Sequence, residues 1–366
     1  MATSSFAGYQ APSIDGQALR RQLSMSFLMN IVQGLFHTPG RGIQQAVQID
    51  TAGAEIRVLR EKPLTQKART ISAGTNGGYF NTNNPEQPSS DYYGLQALHI
   101  IDQNIDIPSV MQDMLPLDIA QATVRNYEQL VAKNINASTI ATQIKASLND
   151  NAEVVDGGGA SNWVTYDATN MLDVFQDMGA VLDAGDEENG VDTFPADSRI
   201  ALWRTYAKRA FYKTAKSVLD VANWKAQDMI RLGTVDPESV RNTDKNGFFG
   251  EIDSTYNYMV APAVFTLAEK YMRQSDAPVA AGFLDDVVGY MCASMGTARG
   301  ISLQSQVKII DSPLGQGMRM QPKQRWGVEV FYPKSVVLCV ASGFTNPAYP
   351  ASVVTPISII GPESNV

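Results

Sequence analysis

Residues 118–148 read DIAQATVRNYEQLVAKNINASTIATQIKASL, and this stretch decides the fold. Val124, Tyr127, Val131 and Ile135, then Ile140, Ile144 and Leu148, recur at helical spacing and keep one apolar stripe. Asp118 and Gln121 occupy the positions of an N-cap and its reciprocal partner three residues later, shortly after Pro108 and Pro116. At 1.5 Å per residue, a helix over these 31 positions spans roughly 46 Å, longer than most globular helices. The spacing therefore predicts a strut, with the rest of the chain arranged along it.

Upstream of the strut, Glu55-Ile56-Arg57-Val58-Leu59-Arg60 and Tyr92 to Ile101 read as strands. About 30 residues rich in Gly, Asn and Pro separate them, with turn signals at Gly74-Thr75-Asn76-Gly77-Gly78 and from Asn81 to Pro88. An excursion of that length is more often functional than simple packing, so residues 51–101 are predicted to form a two-stranded finger leaving the body. Its ascending half carries Arg57, Arg60, Lys62, Lys67 and Arg69 with only Glu61 among them. Its tip, Gly74 to Phe80, is polar apart from Tyr79 and Phe80. A finger without its own core needs another surface, which makes these five basic and two aromatic residues candidates for contact with a neighbouring subunit.

Nearer the N-terminus, Leu23, Phe27, Ile31 and Leu35, with Leu28, Val32 and Phe36 beside them, predict an amphipathic helix stopped by His37-Thr38-Pro39-Gly40. Residues 1–20 are rich in Ser, Ala, Gly and Gln and read as an arm that orders against a neighbour. Downstream, no Lys or Arg occurs between Lys145 and Arg199, while twelve acidic residues run from Asp150 to Asp197. Arg199, Arg204, Lys208, Arg209, Lys213 and Lys216 then place six positive charges in 18 residues without an acid. The spacing of Trp203, Ala207, Phe211, Ala215, Val218 and Ala222 predicts a second long helix, Arg199 to about Leu232, stopped by Gly233. Its basic face is expected to meet the acidic tract, within the subunit or on the next copy. Helices are predicted at Ala261 to Met272 and Gly282 to Met295, and strands at Gln304 to Ile310, Val328 to Tyr332 and Ser335 to Ala341. Pro347, Pro350, Pro356 and Pro362 mark an extended tail.

Composition narrows the function. With 366 residues, 44% of them hydrophobic, the chain has material for a large core and more than one lobe. A formal charge of −8 excludes a generally polycationic nucleic-acid binder, and two cysteines, Cys292 and Cys339, exclude a disulfide framework. The longest apolar runs, such as Val336 to Ala341, are too short for a membrane span. Asn30 and Gln33 interrupt the only stretch that could pass for a signal peptide.

Chemical motifs are sparse. No Gly-Lys dipeptide is present, so a phosphate-binding loop of the usual type is excluded. His37 and His99 stand 62 positions apart with no neighbouring ligand, and the nucleophile-elbow pattern is missing. Asp156-Gly157-Gly158-Gly159-Ala160 could cradle an anion but sits among acids, which favours a plain turn. Asn242-Thr243-Asp244-Lys245-Asn246-Gly247 with Asp253 has some calcium-loop spacing, yet Asn242 is a neutral first ligand and Asn246-Gly247 equally signals a tight turn. No catalytic residue, metal or cofactor is predicted.

The order of parts resembles the major capsid proteins of tailed bacteriophages, the Hong-Kong-97-type fold. The resemblance implies an α+β chain with an N-terminal arm (1–50), an extended β-hairpin finger (51–101), a peripheral domain with a spine helix (102–151), an α/β axial lobe (152–321), and C-terminal strands with a tail returning to the body (322–366). It implies a non-enzymatic shell protein of the virion, assembled in the host cytoplasm as hexamers and pentamers around double-stranded DNA. Its partners would be other copies, a portal, a separate or already removed scaffolding protein, and a decoration protein. Some members cross-link through a finger lysine; Lys62 and Lys67 are present, but nothing locates a reactive partner, so no cross-link is predicted. Two alternatives remain: an encapsulin-like nanocompartment shell, and a hydrolase using carboxylates from Asp150 to Asp197.

Overall fold

The computed structural model describes residues 31, 34–44, 46–48, 55–61, 90–96, 99–102, 105–108, 116–153, 163–186, 190–219, 248–273, 282–301, 306–311, 317–342 and 344. The fold is organised around helix α1, Pro116–Glu153, whose 38 residues make it about 57 Å long. It starts two residues before the expected cap, so Asp118 falls inside the first turn, where Pro116 needs no backbone N–H partner. Tyr127, Val131, Ile135, Ile140, Ile144 and Leu148 are buried, as the apolar stripe requires.

Two six-stranded sheets meet α1. The first runs in the order β10 (Phe248–Ile252), β11 (Thr255–Val260), β9 (Arg199–Arg204), β12 (Val287–Ala293), β16 (Val336–Val340), β8 (Trp163–Thr165). The second is built on the 14-residue strand β15, Gly317–Val330. Strand β15 pairs with β13 (Thr297–Ile301), β14 (Gln306–Asp311), β6 (His99–Asp102) and β7 (Ile105–Pro108), and β3 (Ala46–Gln48) adds in parallel to β13. At Lys323, β15 meets both Gln306 and Asp102. Strands β4 (Glu55–Glu61) and β5 (Ser90–Gln96) form a separate antiparallel ladder, while β1 (Thr38–Pro39) and β2 (Gly42–Ile43) form a small parallel pair.

Alternation along the first sheet splits the core in two. Ile200, Leu202, Tyr290, Cys292, Val336 and Leu338 face a cluster built on α1 and helix α4, Pro262–Arg273. Ala201, Trp203, Met291, Ala293, Val337 and Cys339 face the other cluster, under helices α2 (Met171–Asp183) and α3 (Ala207–Leu219). A register shift between Val287 and Gly289 inverts the phase of the alternation, so that Val288 joins the cluster opposite to that of Tyr290 two residues on. A Cβ on Gly289 would lie 2.5 Å from the Trp203 ring and 2.6 Å from the Leu202 carbonyl oxygen, so the strand can approach this closely only at glycine.

Several expectations are corrected. The segment predicted as a helix from Arg199 begins as β9, all six residues of which are buried, and only Ala207–Leu219 is helical within the described part. Trp203 is therefore a strand residue, with its Nε1 donating to Asn257 Oδ1 at 2.8 Å. The predicted helix Gly282 to Met295 is a 3-10 turn, Phe283–Asp286, followed by β12. In both segments a central strand is apolar on both faces, which removes the period-two alternation that marks a half-buried strand. The run Tyr92 to Ile101 breaks into β5 and β6, which belong to different sheets.

The segment lines also shift. Within the expected arm, Ile31, Leu35, Phe36, His37 and Ile43 are buried in this subunit's own core. The expected boundary at 321/322 falls inside β15, and β16 returns to the sheet of the axial segment. The chain crosses between sheets at two 3-10 turns, Ser294–Gly296 and Pro333–Ser335, which lie side by side with Phe331 N–H donating to the Gly296 oxygen at 2.7 Å.

Candidate functional site: a buried polar seam and the assembly elements

Between Asn134 and Ile144 the long helix has no charged residue, and its polar side chains, the half-buried Thr142 apart, are buried along with its apolar ones. Asn134, Asn136, Ser138, Thr139, Gln143 and Ser147 are each at most 7% exposed. A helix buried on most of its surface must satisfy such groups through other elements, because an unpaired buried polar group costs about 1–3 kcal/mol.

Gln143 is the centre of the seam. Its Nε2 donates to the Gly42 oxygen at 3.3 Å and to Thr297 Oγ1 at 3.1 Å, while its Oε1 accepts from Tyr290 O–H at 2.8 Å and from His37 Nε2 at 2.9 Å. One side chain thereby joins the N-terminal segment, β12 of the first sheet and β13 of the second. Along the same helix, Asn136 accepts from Phe36 N–H at 3.1 Å and donates to the Gly34 oxygen at 2.9 Å. Ser138 Oγ accepts from Trp326 Nε1 at 2.8 Å, Ser147 donates to the Val336 oxygen at 3.1 Å, and Asn134 accepts from Tyr271 O–H at 3.0 Å. Gly42 has φ +74° and sits where a Cβ would lie 2.6 Å from Ile200, so glycine is required for the N-terminal turn to reach the seam.

The electrostatics are those of a sealed interior. Burial, and then the neighbouring Arg299 guanidinium, push the His37 pKa down to about 3 against the Gln143 hydrogen bond. Arg299, lowered to about 10 by burial, donates from Nη2 to the His37 backbone oxygen at 2.8 Å. Burial raises the Tyr290 hydroxyl and Cys292 thiol, and pushes Cys339 up to about 12, so both cysteines are inert packing thiols. Glu329 on β15 is pushed up to about 7 by burial.

The acidic tract does not gather into a reactive pair within the described part. Asp183 pairs with Arg199 at 2.5 Å, Asp186 with Lys334 at 3.4 Å, and the exposed Asp167 closes a local turn to Thr169. Arg199 also donates to the Phe194 and Gly179 oxygens, so part of the expected acid–base contact lies inside the subunit. Arg204 donates to the Val287 and Leu284 oxygens, pairs with Asp285 at 3.4 Å, and stacks over Phe265. No group of three or more His, Cys, Asp or Glu that could hold a metal occurs among the described residues. No described helix is long and apolar enough to cross a membrane. Asp253, the last position of the candidate calcium loop, lies with Ser254 in a two-residue hairpin turn at φ 48° and 59°, and 242–247 lie outside the described residues.

Of the candidate contact residues, Arg57 and Arg60 lie on β4, registered against Gly94 and Asp91 of β5. Lys62, Lys67, Arg69, Tyr79 and Phe80 lie outside the described residues, as do the glycine turns at 74–78 and 156–160. The polar seam was not anticipated from sequence. Its available signal was the eleven-residue stretch 134–144, which contains no charge in the middle of a long helix.

No protein-family model and no curated protein matches the sequence. Solved structures do. The capsid structure of the cyanophage P-SCSP1u shares 13% identity, with 81% of this chain and 86% of that chain covered at a TM-score of 0.50. The head structure of Helicobacter pylori bacteriophage KHP40 shares 12% identity, with 85% and 90% covered at a TM-score of 0.52. The chain thus has the mixed helix-and-sheet fold of phage capsid proteins, as the order of its parts implied.

Replacing Gln143 with Leu leaves the Tyr290 and His37 groups and the Gly42 and Thr297 acceptors without this partner, at an expected cost of about 3 kcal/mol or more. Urea unfolding of the free subunit should show that loss as a lower midpoint with little change in slope.

Acid dependence follows from His37 and Glu329, which act in opposite directions. A folded-state His37 pKa near 3, against an ordinary 6.5, gives stability that is complete above pH 6.5 and declines as pH falls towards 3, by on the order of 1 kcal/mol per pH unit. The raised Glu329 pKa, about 7 against 4.5, makes its contribution better at low pH and worse as pH rises from 4.5 to 7. Between pH 6.5 and 5, His37→Gln should flatten the decline in thermal midpoint and Glu329→Gln should steepen it.

Proposed function

We propose that this chain is a structural shell protein of a tailed-bacteriophage head, joining in hexamers and pentamers into an icosahedral or prolate container for double-stranded DNA. The observation that carries this reading is the shared fold with two phage capsid structures over 81% and 85% of this chain. The β4–β5 ladder, whose strands pair only with each other among the described ones, supports it, because a two-stranded sheet is marginal in water and gains stability by lying on another surface. In this reading residues 51–101 are the finger, its basic residues Arg57, Arg60, Lys62, Lys67 and Arg69 meet acid on an adjacent subunit, and Tyr79 and Phe80 anchor its tip there.

A net charge of −8 suits a container whose DNA must leave again, since a cationic lining would hold it through counterion release. The protein belongs to the virion, with assembly in the host cytoplasm. A portal, a separate scaffolding protein and a decoration protein are its further partners.

Electron microscopy and light scattering of the purified chain test the reading. Rings, capsomers or closed shells many times the monomer mass are expected, and a strictly monomeric folded species at high concentration would contradict it. Tyr79→Ala combined with Phe80→Ala should lower shell yield while leaving the unfolding midpoint of the free subunit in place. A loss of several kcal/mol in the free subunit would instead put both rings in its own core and remove the finger assignment.

A further inference from the structure

Helices α2 and α3 lie together on the side of the first sheet opposite α1, and their outward faces carry opposite charge. Helix α2 exposes Asp173 and Asp177, besides Asp183, which pairs with Arg199 of the same subunit, and contains no Lys or Arg. Helix α3 exposes Lys208, Arg209 and Lys213 and contains no Asp or Glu. Their inner faces are fixed to one core: Met171, Val174, Phe175 and Met178 of α2 share a cluster with Ala207, Ala210 and Phe211 of α3. The N-terminal turn of α2 is also tied to the middle of α3, where Met171 N–H donates to Thr214 Oγ1 at 3.0 Å. The two charged faces therefore stand at a fixed spacing on one rigid unit.

We propose that these faces are the two halves of a head-to-tail contact between copies of this chain, the acidic face of α2 on one subunit meeting the basic face of α3 on the next around a ring. The proposal rests on the shell reading and goes beyond it by naming the surface. The occupant is a second copy because the complement of each face is present on the same molecule. A heterologous contact of this kind closes into rings when its rotation divides a full turn. Exposed charges also set register and suppress wrong pairings more than they add affinity, as a ring that must form in two sizes requires. Within the subunit Asp183 of α2 and Asp285 pair with Arg199 and Arg204 of β9, so the proposed contact rests on Asp173 and Asp177 of α2 and on Arg209 and Lys213 of α3.

Charge exchange tests it. The variants are Asp173→Lys with Asp177→Lys, which makes both faces basic, and Arg209→Glu with Lys213→Glu, which makes both acidic. Native mass spectrometry and sedimentation at low salt read ring formation, and circular dichroism checks that each variant is folded. Each double variant alone should form rings about ten-fold less than the wild type, with the deficit shrinking as salt screens the charges. An equimolar mixture should restore rings, with an even number of subunits because the two variants must alternate. The quadruple variant, with both faces reversed, should restore rings by itself, odd-numbered ones included.

Undiminished rings from either double variant, or a folded quadruple variant that stays unassembled, would overturn the pairing while leaving the shell reading in place. A mixture that stops at heterodimers would show a two-fold contact and also overturn the ring. If the wild-type protein forms no rings at all, the shell reading falls and takes the pairing with it.

Discussion

Gln143 is fully buried in the C-terminal half of the 38-residue helix and hydrogen-bonds four partners on three elements. The rest of the architecture depends on this seam. A purely apolar helix could have packed against either sheet in several rotations, since hydrophobic contact is not directional. Asn136, Ser138, Gln143 and Ser147 can be satisfied in one rotation only, with the N-terminal segment, β15, β12, β13 and β16 each bringing a specific donor or acceptor. The same bonds hold the two sheets at one mutual orientation, which a subunit needs if many copies are to close into a curved surface.

Among the described strands β4 and β5 pair only with each other, while β5 also lies against β13 and β15, so the ladder depends on surfaces outside itself. Opposite charge is displayed on helices anchored to the second core cluster, away from the polar seam. Assembly contacts built this way are weak individually and additive around a ring, which lets misplaced subunits leave before a shell closes. Around the seam, by contrast, His37 is held neutral at physiological pH and both cysteine thiols are protonated.

Much of this was legible in the residues. The apolar stripe of 118–148 located the strut because six of its seven named positions are buried along one line, and the strand-like runs Glu55 to Arg60 and from Tyr92, flanking a polar excursion, located the β4–β5 ladder. Two central strands were not legible as strands. In β9, Trp203, Ala207 and Phe211 happen to repeat every four residues across the strand-to-helix junction, imitating a helix face. In β12, Val-Val-Gly-Tyr-Met-Cys-Ala is buried on both sides and gives no alternation. The seam was hidden for a different reason. Asn, Ser, Thr and Gln look like a solvated face until the absence of charge over 134–144 is weighed. The tertiary partners of Gln143 lie 101, 106, 147 and 154 residues away, beyond the reach of any local pattern.

Native-state hydrogen exchange on the free subunit, followed through low concentrations of urea, tests the central claim that the seam makes one cooperative unit of two sheets. Amides of β9, β12 and β16 in the first sheet and of β13 and β15 in the second should converge on a single opening free energy, with α1 between residues 134 and 147 sharing it. Separate plateaus for the two sheets, with α1 following only one of them, would contradict the account.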